Sequence, residues 1–185
     1  MSNKLELRMM GLVPYNISPI QQAIQFGHAV VEYGQKMKYL GEHNQSLNTQ
    51  YNDWADNWKT FIILNGGTTN HKTSLEDGLP FGSLNNHLLT LLDNGVSFAQ
   101  FSEPDLGDQL TAVVFIVDER VFNRKKYIDN YGDLITGDGS AYQIARRIKE
   151  SKSKEDQKVY QEWIKLIGGE KNVFLRDFLK NFRLA

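Results

Sequence analysis

Apolar and polar positions along the chain group into short runs and helical repeats from about residue 5 onward. Residues 5–13, LELRMMGLV, are apolar enough for a buried strand, and Pro14 stops it. The clearest helix signal follows. Ser18 suits an N-cap, Pro19 suits the first helical position, and Gln21 stands three residues after Ser18 to complete a capping box. Behind it, Ile20, Ala23, Ile24, Gly27, Val30, Val31, Gly34 and Met37 recur at three- and four-residue spacing, which predicts a helix over about 18–39 with that stripe packed on a sheet. Residues 41–57 are rich in Asn, Gln and Asp and read as a long surface loop carrying Trp54.

TFIILNGG, residues 60–67, is a contiguous apolar run closed by two glycines and predicts a strand covered on both faces. Ser83 then caps a leucine-rich helix closed at Asn94-Gly95. VSFAQF at 96–101 and TAVVFIVD at 111–118 are the third and fourth strands, joined by the loop SEPDLGDQL. This order argues for an α/β fold: a mixed four-stranded sheet with helices packed on its faces. Beyond Asp118 the pattern is helical over roughly 119–131, 140–150, 155–167 and 171–182, with glycine-bearing turns between. The expected organisation is an α/β domain over 1–118 and a basic helical C-terminal extension over 119–185 packed on it.

Composition and charge change the picture in four ways. Apolar residues make up 41% of the 185 and charged residues 23%, which suits a buried core and not a disordered chain. No cysteine is present, so disulfides, thiol nucleophiles and thiolate metal sites are excluded. No stretch reaches the length of a membrane span and the polar start MSNKLELRMM has no leader pattern, which predicts a cytoplasmic protein without a membrane partner. Charge is uneven: residues 1–118 hold 6 Lys+Arg against 12 Asp+Glu, while 119–185 hold 15 against 10, giving −6 and +5. Such a basic segment reads either as a phosphate-contacting surface or as solvated helix faces.

Two clusters could carry chemistry. At 100° per residue, Gln21, Gln25, His28 and Glu32 fall in a band about 60° wide on the flank of the first helix. A polar row beside a buried stripe marks the border of a cleft, although Gln21 also serves the capping box and His28 could bond Glu32 one turn on. The second cluster, Glu103, Asp105 and Asp108 with Pro104, stands beyond the end of a strand, where α/β sheets bind ligands. Three carboxylates could hold a hard cation if other oxygens completed the shell, and turns use the same residues without function. Asn65-Gly66-Gly67-Thr68-Thr69 lacks the P-loop and dinucleotide spacings, and His43, His71 and His87 lack metal-ligand spacing. No metal site and no cofactor is therefore expected.

The string Ser18-Pro19-Ile20-Gln21-Gln22-Ala23-Ile24-Gln25-Phe26-Gly27-His28-Ala29 resembles the S-x-G-K-x-x-A-Q-x-x-H-A signature of the type 2 peptidyl-tRNA hydrolases. The order of elements after it fits that family over about residues 5–118, with the acidic loop in place of the family's D-A-G-x-T segment. The resemblance implies hydrolysis of the ester between a peptidyl or aminoacyl group and tRNA. It assigns catalytic roles to Gln25, His28, Glu103 or Asp105, and Thr111. The family's lysine falls on Gln21 and the glycine before it on Ile20, which removes a positive charge from the substrate side. Substrate contacts would then fall to Gln21 and to the basic residues Lys125, Lys126, Arg146 and Arg147. Extended versions are associated with phage-encoded relatives, and the family is often dimeric, so Trp54, Trp58 and the aromatic tail could serve a homodimer interface or fill a monomer's core. The other reading is a scaffold that no longer turns over and binds a nucleotide, an RNA or a host protein.

Overall fold

In the computed structural model the described residues are 4–41, 45–69, 82–128, 150 and 153–185. They form a four-stranded sheet and helices that divide into two compact units. The first unit spans Glu6–Ile116 and takes back the last four residues, Phe182–Ala185; the second holds Val117–Asn181 with the start of the chain.

The first unit begins with β1 (Leu7–Val13), α1 (Pro19–Gly41) and α2 (Gln45–Asp53). A single π-helical turn, Trp54–Trp58, leads into β2 (Thr60–Asn65), and α3 (Ser83–Asp93), β3 (Phe98–Glu103) and β4 (Gln109–Asp118) complete the set. The sheet order is β2-β1-β4-β3; β1 and β2 run parallel, whereas β3 and β4 form an antiparallel hairpin. This is a mixed sheet, because the β1–α1–β2 crossover gives a parallel pair and the five-residue β3–β4 connection a hairpin. Gly107 and Asp108 close that connection with positive φ of 67° and 58°, which suits the right-handed twist of the two strands.

Helix α1 starts as its sequence predicts. The Ser18 backbone N–H and hydroxyl both donate to Gln21 Oε1, at 3.1 and 3.0 Å, and the Gln21 N–H returns a bond to Ser18 Oγ. The face it buries shares Met37 and, in part, Val30 and Gly34 with the predicted stripe and differs from it elsewhere. Phe26, Ala29, Tyr33 and Met37 are buried against the sheet, with Val30 partly so, whereas Ile20 and Val31 are 73% and 58% exposed and Ile24, Ala23 and Gly27 lie with them. Both stripes have helical spacing, and the one with the aromatic side chains wins because the sheet is shaped to receive them. Phe26 lies over Gly11 of β1, where an added Cβ would stand 2.2 Å from its ring.

Residues 45–58 are helical and not the predicted loop. Trp54 is buried, and Tyr51, Ala55 and Trp58 pack on the same α1-facing core, so an apolar stripe at three- and four-residue spacing overrides a composition poor in helix formers. β2 is an edge strand and not covered on both faces, with Phe61 45% exposed. Its free edge is partly paired by the C-terminal residues. Asn65 N donates to Arg183 O at 2.9 Å and Ala185 N to Ile63 O at 3.1 Å, with Leu64 and Leu184 forming an antiparallel bridge. Pairing an exposed edge in this way blocks strand addition by other chains. In α3 the N-cap is Gly82; Ser83 Oγ instead accepts from Thr68 N at 2.7 Å.

The second unit contains α4 (Glu119–Phe122), α5 (Lys154–Ile167) and α6 (Glu170–Phe178). The first of these stops after four residues, short of the predicted end near 131. Asn123 Oδ1 accepts from Lys126 N, a local turn that competes with helix continuation. The predicted helix at 140–150 lies outside the described residues except for Glu150. Arg176 is fully buried and donates to Arg120 O and Tyr127 O. Asp118 holds Arg120 through two bonds of 3.1 and 2.8 Å and accepts from Asn172 Nδ2. Gly168, at φ 90°, lets that guanidinium approach to within 2.3 Å of where a Cβ would sit. Among the described residues no helix is long and apolar enough to cross a membrane.

Gly11→Ala is expected to lower stability by about 1–3 kcal/mol, the usual cost of overpacking, read as a lower urea midpoint at unchanged m-value. An unchanged midpoint would show that Phe26 moves aside without cost.

Candidate active site

The polar row on α1 meets the β3–β4 hairpin at Gln25. This side chain is 5% exposed, so both ends of its amide need partners. Its Nε2 donates to Glu103 Oε2, and its Oε1 accepts from the Thr111 hydroxyl at 2.8 Å. The orientation is dictated by chemistry. The NH2 end, the amide's donor, faces the Glu103 oxygen, and the carbonyl end, which only accepts, takes the Thr111 O–H as donor.

A β-bulge brings Thr111 into this chain. On one side of it Phe101 pairs with Ala112, and on the other Ser102 pairs with Leu110, leaving Thr111 as the extra residue of β4. Strict alternation would send Thr111 and Ala112 to opposite faces; the bulge lets Thr111 reach Gln25 while Ala112 stays in the α1-facing core. Thr111 is fully buried and its hydroxyl also lies 3.3 Å from Phe101 O.

Glu103 stands at the end of β3 as the N-cap of a short 3-10 turn, Pro104–Leu106, and its Oε1 accepts from Asp105 N at 3.4 Å. One carboxylate is thus held by the loop backbone and by α1. Of the two acidic residues expected to compete for this place, Glu103 enters the network, while Asp105 lies exposed on the turn. His28, one turn on from Gln25, is exposed and stacks on Phe101, with ring centroids 4.5 Å apart and planes 18° from parallel. Phe101 and Glu103 project from the same face of β3, so the imidazole stands on the rim beside the carboxylate. Its partner is this aromatic ring and not Glu32.

The other expected contacts are placed differently. Gln21 is taken up in the capping box of α1. Lys126 pairs with Glu119 at 2.7 Å, an arrangement that raises its pKa through the hydrogen bond to that carboxylate, and its ammonium lies 5.3 Å from the Tyr127 ring centroid. Lys125 is exposed, and Arg146 and Arg147 lie outside the described residues. Asp108 falls on the opposite face of the hairpin, in a cavity beside α3. Among the described residues no group of three or more His, Asp or Glu side chains is arranged to hold a metal ion. Sequence reasoning did not foresee Phe101 as the platform for His28; the alternation of VSFAQF, which sets Phe101 two positions before Glu103, carried that signal.

A scan against protein-family models matches none, and a search of curated proteins finds no significant match.

Thr111→Val leaves the buried Gln25 carbonyl without its donor and is expected to cost about 1–3 kcal/mol, while Thr111→Ser retains most of the stability. Chemical denaturation of the two variants measures the difference. Equal stability of the Val variant would mean that the bond contributes nothing net.

Proposed function

We propose that the chain is an ester hydrolase of the peptidyl-tRNA hydrolase kind, cleaving the bond between a peptidyl or aminoacyl group and the 3′-terminal ribose of tRNA. The observation that carries this reading is the chain Thr111–Gln25–Glu103 beside the exposed imidazole of His28. It supplies a carboxylate whose orientation is held from two sides and a titratable ring at the solvent boundary. This is the equipment that directing water at a carbonyl requires.

In this mechanism water attacks the ester carbon and gives a proton to Glu103 or His28. The tetrahedral intermediate collapses with rupture of the bond to the ribose oxygen, which receives that proton. The products are a carboxylic acid, ionised at neutral pH, and a free ribose hydroxyl. Gln25 and Thr111 act as positioning residues, because both are buried and touch the reaction through Glu103. The excess positive charge of residues 119–185, with Lys125 exposed, supports phosphate contacts for tRNA that the acidic first unit does not offer. A cytoplasmic, phage-encoded relative of that family, acting as a monomer or a homodimer, fits the same reading.

One observation favours a second reading. Gln21 stands where the family has its lysine and is committed to the helix cap, so no cation faces the substrate from that position. A binding scaffold for a nucleotide, an RNA or a host protein would tolerate that loss.

Incubation with N-acetyl-aminoacyl-tRNA separates the two. Turnover that falls about 100-fold or more in Glu103→Gln and His28→Ala, the usual scale of acid–base catalysis, and that also falls in Gln25→Ala supports the hydrolase. A silent native chain that becomes active only as Gln21→Lys supports the scaffold.

A further inference from the structure

The buried face of α1 is explained by the sheet beneath it, and the outer face is not. Ile20, Ile24 and Val31 are each more than half exposed, and Ala23 and Gly27 are exposed in line with them. At 100° per residue the five fall in a band about 100° wide over three turns. An apolar stripe of that width is what a helix presents to a packing partner.

Gly27 gives the stripe its shape. Glycine inside a helix is costly relative to alanine, so its presence calls for a reason. Elsewhere in this unit the reason is visible. A Cβ on Gly11 would meet Phe26, and one on Gly34, also in α1, would stand 2.6 Å from the Tyr51 hydroxyl oxygen. A Cβ on Gly27 would meet nothing within 4 Å. The space it leaves lies on the outer surface, where it admits the close approach of a second backbone.

Charge selects the occupant. Residues 9–31 contain no Asp, Glu, Lys or Arg, so the stripe offers no cation to phosphate and lacks the Lys- and Arg-rich border of a membrane-surface helix. A protein surface remains. Two copies of the acidic first unit approach each other best where that charge is missing, and this face of α1 is such a place.

We infer that α1 is a homodimer interface, with the helices of two copies packed antiparallel about a twofold axis at Gly27. Residues whose numbers sum to 54 then lie level, so Gly27 meets Gly27 and Ala23 meets Val31, small against large. Tyr15, exposed just ahead of the helix, comes near the exposed Tyr39 of the other copy at each end. The stripe is thus its own complement, as an isologous contact requires. Charge is complementary too. Glu32, exposed, comes level with Gln22 of the other copy, in a first turn that has no acidic residue of its own and whose positive dipole end favours a carboxylate. His28 lies about 80° around the helix from the middle of the stripe, so its imidazole stays at the rim of the contact. Trp54 and Trp58 take no part, because both pack in the α1-facing core. One helix face, about 35 Å long and about 10 Å wide, is smaller than the roughly 800 Å² per side of a standard interface, so the dimer is a weak one. The inference is independent of the hydrolase reading, since association is measured without turnover.

Sedimentation equilibrium of the full chain, from low micromolar to near-millimolar concentration, is expected to show a reversible monomer–dimer equilibrium. Ile24→Glu, which buries a charge, and Gly27→Leu, which overpacks the helix contact, are each expected to weaken it at least about tenfold. At low concentration Gly27→Leu melts no lower than the native chain, because leucine is the better helix former. The absence of native cysteine allows a geometric test. Positions 23 and 31 are about 12 Å apart along one helix, too far for a disulfide within a chain. The double variant Ala23→Cys/Val31→Cys is therefore expected to form a disulfide-linked dimer on oxidation, and neither single variant to do so. A chain that stays monomeric throughout, an Ile24→Glu or Gly27→Leu variant that associates like the native chain, or equal cross-linking of the single variants would each overturn the inference.

Discussion

The amide of Gln25, bonded at one end to Glu103 and at the other to Thr111, ties α1 to the β3–β4 hairpin. Because the side chain is buried, neither bond can be exchanged for water without cost. Three independent features of the chain must agree for both to form. The cap at Ser18 sets where α1 begins, the bulge at Thr111 turns a hydroxyl toward the helix, and the turn at Pro104 holds Glu103 at the end of its strand.

Packing places these parts in register. Phe26, one residue after Gln25, occupies the space left by Gly11, so the apolar contact that seats the helix also fixes the height of the polar one. Phe101 shows the same economy. It packs on the α1-facing core and offers its ring to His28, which holds the imidazole against β3 while leaving it exposed. The hairpin thus has two faces. Glu103 looks toward α1, and Gln100, Ser102 and Asp108 look toward α3.

The basic C-terminal segment illustrates how net charge misleads about surfaces. Arg120 is held by Asp118, Lys126 by Glu119, and Arg176 by backbone carbonyls in the interior. Several of its cations therefore serve the second unit's own architecture. Lys125 is exposed, and only such residues are open to phosphate.

Much of this was legible in the amino-acid sequence. The four strands, the start of α1, the capping box and the polar row Gln21, Gln25, His28 and Glu32 follow from local spacing, because caps and periodicity act over a single turn or strand. Tertiary structure decided the rest. Two apolar stripes on α1 have the same helical period and converge at Met37, and only the shape of the sheet, open at Gly11, selects Phe26, Ala29 and Tyr33 over Ile20, Ile24 and Val31. The segment around Trp54 is helical because α1 offers it a surface, which no composition can state. Glu103 and Asp105 are equivalent as letters. They differ once the loop is folded, when one carboxylate reaches Gln25 and the other faces solvent. Which side chains bury, and which acceptor finds a donor, are properties of contacts far apart in the chain, and those are set by the assembled sheet.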